Sequence, residues 1–189
     1  MYIKPAIARH TRMPQINVFF YAPTPSDHVL NHVVTQYHPP FSHCDVQFED
    51  GMASSIYQYE TVYWRKRGFK KPGYSKLSIQ VQAADYNRAY SMCQERSAKQ
   101  FEFDAIGMYT LPLMSSLQYE RDGYTFCSKH CTEVLQTANV KAVAGLLAKS
   151  VTPSALQQAI QDAPLQQQQG WRVGNSGERQ NTRLDLRIM

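Results

Sequence analysis

A cysteine and a histidine that are far apart in the chain have the sequence contexts of a nucleophile and its base. Cys127 follows the extended segment GYTF and begins the helical segment CSKHCTEVLQT. The first N–H groups of a helix are unpaired and lie at its positive end, so a thiol there tends toward the reactive thiolate. The same N–H groups can stabilise an oxyanion. His43 lies in the alternating segment SHCDVQF, opposite Cys44 and Val46, and a strand is a rigid support for a general base.

A metal site is the rival chemistry for the same residues. Cys127, His130 and Cys131 lie at i, i+3 and i+4, on one face of a helix, and Cys44 beside His43 completes a possible set of four zinc ligands. Structural zinc sites usually contain two short cysteine pairs, whereas this chain has one compact cluster. We therefore expect no metal and no other cofactor. Cys131 is expected in the core, with His130 as the more exposed neighbour.

Composition limits the classes of protein to which the chain can belong. Of 189 residues, 43% are hydrophobic and 19% charged, which excludes wholesale disorder. No apolar run reaches about 18 residues, and MYIKPAIARHTRMPQ lacks the apolar middle of a signal peptide, so we expect no membrane contact and no secretion. Four irregularly spaced cysteines indicate free thiols in a reducing compartment, which is the cytoplasm or a virion.

Positive charge is concentrated in the segment RKRGFKK, residues 65–71. The net charge of +5 is mild for a nucleic-acid-binding protein. Aromatic residues interleave with the segment, and such a pattern can bind single-stranded nucleic acid by stacking and charge. The commoner explanation is a solvated edge strand and loop, so nucleic acid is not expected as a partner.

The first half of the chain is predicted to form mainly β-strands and the second half mainly helices. We predict strands in INVFFYA, SHCDVQF, MASSIYQY, ETVYWRKR and KLSIQVQ. A short helix, DHVLNHVVTQY, should follow the first strand, and Asp50-Gly51 should form a tight turn. Later helices are predicted at 83–100, 103–108, 127–137, 140–149 and in TPSALQQAIQDA. The fold class is α+β, a small antiparallel sheet packed against helices on one side.

The ordered part of the chain is expected to be a single domain at residues 16–162. Residues 1–15 form an N-terminal lead-in with little periodicity. Residues 163–189 contain a run of four glutamines followed by glycines and charges, a composition that cannot pack a core. We predict a flexible or partner-bound tail there.

Four segments, taken in their order, carry a family resemblance. PPFSHCDVQFEDGMASS, the helix at 83–100, FEFDAIGM and YTFCSKHCTEVL together resemble the circularly permuted papain-like cysteine peptidases and amidases. This is the permuted branch of the NlpC/P60 superfamily, with lecithin:retinol acyltransferase-like and phage or large-virus members. TPSALQQAI is similar to a helix that often follows in such proteins. The resemblance covers about residues 16–160 and implies a permuted papain-like core.

The resemblance also implies a role for individual residues. Cys127 matches the nucleophile and His43 the general base. A third polar residue orients the histidine, and Asp45 is favoured because it shares the His43 side of the strand. The returning strand offers alternatives within cross-strand reach, namely Ser54, Ser55 and Gln58. The backbone N–H of Cys127 is the expected oxyanion donor, with Tyr21 as a further candidate.

The function implied is that of a cysteine hydrolase, a viral or phage peptidase or amidase. A peptide or amide substrate would be cleaved through a Cys–His acyl-enzyme mechanism. The alternative is a catalytically silent papain-like module, attached to a virion or capsid or another protein assembly through the tail at 163–189. An acyltransferase acting on lipids would need an amphipathic membrane segment, and the sequence has none.

Overall fold

Five strands rich in β-branched and aromatic residues form one antiparallel sheet. The computed structural model describes residues 12–27, 32, 35–36, 39–110 and 121–163. Within them the strand order is β4-β3-β2-β1-β5. The strands are β1 (Gln15–Tyr21), β2 (His43–Gln47), β3 (Met52–Ser55), β4 (Tyr63–Lys66) and β5 (Tyr74–Gln80). Strand β1 lies between β2 and β5 and pairs with both, so that Tyr21 lies opposite His43 on one side and Tyr74 on the other.

Four α-helices follow the sheet in the described part of the chain. They are α1 (Ala83–Ala98), α2 (Ala105–Thr110), α3 (Cys127–Thr137) and α4 (Pro153–Asp162). A short parallel pair, β6 (Glu102–Phe103) with β7 (Tyr124–Thr125), precedes α3. The start of α4 is set by its sequence: Thr152 accepts a hydrogen bond from the Ala155 N–H at 3.1 Å, and Pro153 occupies the first helical position. The α+β class is therefore as predicted.

One face of the sheet and the helices α1, α3 and α4 enclose the hydrophobic core. Alternate residues of β1, β2 and β5 enter it, as the pleat requires. The strands contribute Ile16, Val18, Phe20, Cys44, Val46, Leu77 and Ile79, and the helices contribute Ala89, Cys93, Cys131, Val134, Leu135, Leu156 and Ile160. Since Cys44 and Val46 point into this core, His43 and Asp45 lie on the opposite face of β2.

The predicted helix at 140–149 is wrong. The chain forms two short 3-10 turns there, Lys141–Val143 and Ala148–Ser150, separated by a turn. Glycine costs about 1 kcal/mol relative to alanine within a helix, and Gly145 occupies the middle of a segment too short to be a stable helix alone. The Gln136 side-chain amide also donates to two carbonyls of the segment, at 3.0 and 2.8 Å, which stabilises the irregular path. Helix α1, predicted to reach Gln100, ends at Ala98.

Several predicted segments lie outside the described residues. The helix DHVLNHVVTQY does so in large part, as do the lead-in at 1–15 apart from its last four residues and the tail at 163–189 beyond its first. Among the described residues, no helix combines the length and the apolar character needed to cross a membrane.

Candidate active site

The predicted nucleophile and the predicted base line the same cleft. Cys127 is the first residue of α3, directly after the extended Phe126, and His43 is the first residue of β2. Both side chains are largely buried but contribute to the wall of a cleft of ≈ 310 Å³. The structure thus brings together two residues that are distant in the sequence.

Packing and hydrogen bonds fix both elements at the cleft. Helix α3 lies against β2 in the core, and the Ser128 hydroxyl donates to the Val151 carbonyl at 2.6 Å, next to Cys127. At the other side, the Ser42 N–H donates to the Tyr21 carbonyl at 2.9 Å, which holds the start of β2 against β1. The positions of sulfur and imidazole therefore follow from the core of the domain rather than from a loop.

The electrostatics of Cys127 favour the thiolate. A hydrogen bond from Cys44 lowers the pKa of the Cys127 thiol most, and the hydrogen bond and charge of His43 lower it further. Burial opposes both effects, yet the pKa lies well below its usual value. These are the conditions that make a cysteine nucleophilic at neutral pH.

The electrostatics of His43 favour the imidazolium. Burial is the largest single effect and opposes the charge, but the charge and hydrogen bonding of Asp45 and of Cys127 together outweigh it. The pKa of His43 is raised well above its usual value as a result. A lowered thiol pKa beside a raised imidazole pKa describes a thiolate–imidazolium pair.

Asp45 lies behind the histidine ring. Its Oδ1 is 3.3 Å from His43 Nε2, an ion pair rather than a well-aligned hydrogen bond, and its side chain is fully buried. Because Nε2 faces the carboxylate, Nδ1 is the ring nitrogen left for the sulfur. Tyr57 stacks on the ring with centroids 4.5 Å apart, which limits its rotation.

The other candidates for the third residue are engaged elsewhere or contact the cleft differently. The Ser55 hydroxyl donates to the Cys44 carbonyl at 2.6 Å, and the Ser54 hydroxyl contacts His130. Gln58 lines the cleft. The Tyr21 hydroxyl, considered as an oxyanion donor, donates to Asp27 instead. Asp45 is thus the candidate that forms an ion pair with His43.

Arg67 is a site residue that sequence reasoning missed. It belongs to the basic segment 65–71, which was expected to be a solvated edge. Arg65 and Lys66 are exposed, but the Arg67 side chain is 21% exposed and its Nη1 lies 3.2 Å from Asp45 Oδ1. The aromatic residues interleaved with the basic segment were the sequence signal that one of its cations could be enclosed, but they did not show which one.

Aromatic rings enclose the Arg67 guanidinium. Its centre lies 4.9–5.8 Å from four ring centroids, those of Tyr57, Tyr63, Phe69 and Tyr74. Two of these tyrosines also accept hydrogen bonds through their hydroxyl groups. Nη1 donates to the Tyr63 hydroxyl at 2.9 Å, and Nη2 donates to the Tyr74 hydroxyl at 2.8 Å. The Tyr63 hydroxyl in turn donates to Asp45. Arginine is suited to this position because its planar fork stacks and donates at the same time.

His130 does not take the place that the sequence predicted. It is completely buried, not exposed. Its Nδ1 lies 3.3 Å from the Arg96 guanidinium, so Nδ1 accepts and Nε2 donates to the Ser54 hydroxyl at 2.9 Å. The ring therefore serves the packing of α3 on α1 and β3. Within the described residues, no group of three or more His, Cys, Asp or Glu side chains is arranged to hold a metal ion.

The burial of His130 predicts a pH-dependent stability. Burial, followed by the charge of Arg96, lowers the pKa of His130 to about 3. Between that value and the unfolded value of about 6.5, the unfolded chain binds the extra proton, so stability falls as the pH falls. From about pH 7 to about pH 5 this residue alone should remove about 2 kcal/mol.

The measurement is urea unfolding of the wild type and of His130→Gln at both pH values. The variant should lose about 2 kcal/mol less than the wild type on acidification, because its side chain does not titrate. Identical losses in the two proteins would show that His130 is not held neutral in the folded state.

Comparisons of the chain with protein-family models, with curated proteins and with solved structures found no match. The permuted papain-like family therefore stays a prediction from the motifs. What the structure gives directly is an α+β domain in which a cysteine and a histidine line one cleft and a buried aspartate forms an ion pair with the histidine.

Proposed function

We propose that this protein is a cysteine hydrolase, a peptidase or amidase, with a permuted papain-like core of the NlpC/P60 type. The observation that carries the proposal is that Cys127, at the start of α3, and His43 line the same cleft, with Asp45 Oδ1 3.3 Å from the His43 Nε2. A structural cysteine needs neither a cationic partner nor access to a cleft. The combination supports nucleophilic catalysis over a purely structural role.

The chemistry begins from the thiolate–imidazolium pair. The Cys127 sulfur attacks the carbonyl carbon of the substrate, and the oxyanion is stabilised by the Cys127 N–H at the start of α3. His43 gives its proton to the leaving amine, the C–N bond breaks, and a thioester remains on Cys127. His43 then removes a proton from water, which attacks the thioester. The C–S bond breaks, which restores the thiolate and the imidazolium, and the carboxylic acid product loses its proton to solvent as it leaves.

The cleft supports a substrate with both polar and apolar groups. Aromatic and basic side chains face it together with the Cys–His pair, including Tyr21, Tyr57, Tyr74, Phe103, Arg67 and Lys71. The proposal places the protein in a reducing environment, the cytoplasm or a virion, because all four cysteines are free thiols. A viral origin belongs to the same proposal and rests on the motif resemblance alone.

Acyl-enzyme trapping tests the function. The full chain is incubated with a library of fluorogenic peptide amides, quenched in acid, and digested for mass spectrometry. A hydrolase should release the fluorophore repeatedly and show an acyl mass on the peptide that contains Cys127. A silent interaction module, the alternative, would give neither release nor acylation with any library member.

A further inference from the structure

We infer that Arg67 is a positioning residue of the site, which holds the Asp45 carboxylate against His43 and completes the charge balance around the sulfur. The inference rests on the proposed function, since it concerns the resting state of the same cysteine. Together, Cys127, His43, Asp45 and Arg67 are called the charge cluster below.

The first support is the geometry at one carboxylate oxygen. Asp45 Oδ1 lies 3.3 Å from His43 Nε2 and 3.2 Å from Arg67 Nη1, and it also accepts from the Tyr63 hydroxyl. Oδ2 accepts no hydrogen bond from the described residues. Arg67 and His43 therefore share the same oxygen, so that any movement of Arg67 changes where the carboxylate meets the imidazole.

The second support is the way in which Arg67 itself is held. Nη1 binds Asp45 and the Tyr63 hydroxyl, while Nη2 binds the Tyr74 hydroxyl at 2.8 Å. Four aromatic rings surround the guanidinium. An arginine side chain that is held on several sides has little conformational freedom. It therefore holds the Asp45 carboxylate in a fixed position.

The third support is the balance of charges. A thiolate, an imidazolium, a carboxylate and a guanidinium sum to zero, and buried charges are tolerated when they are paired. Without Arg67 the cluster would carry one uncompensated negative charge next to a fully buried Asp45. It would then bind a proton more readily, either on the Cys127 sulfur or on the Asp45 carboxylate.

The more readily bound proton shifts the acid limit of the ion pair, which is the pH below which the sulfur is protonated. A proton on Cys127 moves this limit upward directly, and a proton on Asp45 removes the partner that holds the imidazolium beside the sulfur. Loss of a cation does not lower the pKa of the imidazolium by charge, so the alkaline limit should not fall. Arg67 thus extends the pH interval in which the thiolate and the imidazolium coexist toward lower pH.

Other titratable groups face the cluster from each element packed against it. Burial is the first cause that raises the pKa values of Cys44, Cys131, Tyr63 and Tyr74, so these groups stay neutral in the relevant range. Tyr57 stacks on His43, and the ion pair of Lys71 with Asp27 lies at the same cleft. Of the charged groups in contact with Asp45, only the histidine and Arg67 are cations among the described residues.

The experiment measures both limits of the interval in the full chain. The acid limit is the half-point of Cys127 alkylation by iodoacetamide against pH, followed by mass spectrometry of the peptide that contains it. The alkaline limit is the half-point of the His43 ring carbon shift in an NMR titration. The variants are Arg67→Met, Arg67→Lys, and Arg65→Met as the matched control, since Arg65 is exposed and its guanidinium lies 4.8 Å from the Tyr63 ring centroid.

We expect the acid limit to rise by at least about one pH unit in Arg67→Met, without a fall of the alkaline limit, and to rise by less in Arg67→Lys, which keeps the charge but not the fork. Arg65→Met should retain both wild-type limits. An acid limit in Arg67→Met equal to that of the control, even with a lower melting temperature, would overturn the inference. If Arg67→Met does not fold, the acid limit of Arg67→Lys is compared with that of Arg65→Met, and equal values would again overturn the inference. If Cys127 of the wild type is not alkylated at acidic pH, and so forms no thiolate there, the proposed function itself would be refuted.

Discussion

Replacing Cys127 with alanine should reduce amide hydrolysis by at least about 10³-fold, to the level of the uncatalysed reaction within detection. The loss is large because no other group can form the acyl intermediate. The fold should persist, since the side chain becomes only one atom smaller at the start of α3 and the Ser128 contact to Val151 is retained. The measurements are turnover of the best library substrate, the acyl mass in acid-quenched samples, and the melting temperature.

Cys93→Ala is the matched control for that substitution. Cys93 is a completely buried cysteine on α1 that does not line the cleft. Its replacement should lower stability through the lost packing and leave turnover within about twofold of the wild type. Turnover near the wild-type rate in Cys127→Ala would remove the enzymatic interpretation.

Replacing His43 with alanine should lower the rate of Cys127 alkylation at about pH 5 by at least about tenfold. Without the imidazolium, the hydrogen bond and charge of His43 no longer lower the pKa of the thiol while burial still raises it, so less thiolate exists at that pH. Hydrolysis should be lost as well, because the leaving amine has no proton donor. Alkylation by iodoacetamide is followed on the peptide that contains Cys127.

His130→Gln controls for the loss of a histidine near α3. His130 contacts Ser54 and Arg96 and does not line the cleft, so this variant should retain the wild-type alkylation rate at about pH 5. Should His43→Ala alkylate as fast as the wild type, the sulfur would owe its reactivity to the helix start and Cys44 alone, and His43 would not be the base.

The parts of the site that could be predicted from sequence depend on local signals. The alternation of polar and apolar residues from His43 to Phe48 places His43 and Asp45 on one side of β2, and this alternation is visible in the sequence. The change from an extended segment to an amphipathic helix places Cys127 at a helix start, and α3 has the predicted bounds. Short-range geometry determines these features, so tertiary packing does not alter them.

The parts that could not be predicted depend on which side chains meet across the fold. Arg67 and Arg65 look alike in sequence, and only the folded sheet shows that one faces Asp45 and the other faces solvent. Helical spacing shows that Cys131 lies on the apolar face of α3, and His130 was therefore expected beside that face, toward solvent. The spacing does not show that α1 and β3 cover the His130 ring. Segment 140–149 contains helix-forming residues, but hydrogen bonds from the Gln136 side chain hold it in another conformation.

The most direct test of the account is the protonation state of the Cys127 sulfur in the resting wild type. Selective carbon-13 labelling of cysteine Cβ gives four resonances, and the Cys127→Ala spectrum assigns one of them. We expect that resonance to report a thiolate at about pH 6 while Cys44, Cys93 and Cys131 remain thiols, as the directions of their pKa values require. A Cys127 resonance that stays protonated up to about pH 8.5 would contradict the thiolate–imidazolium pair, and with it the proposed hydrolase.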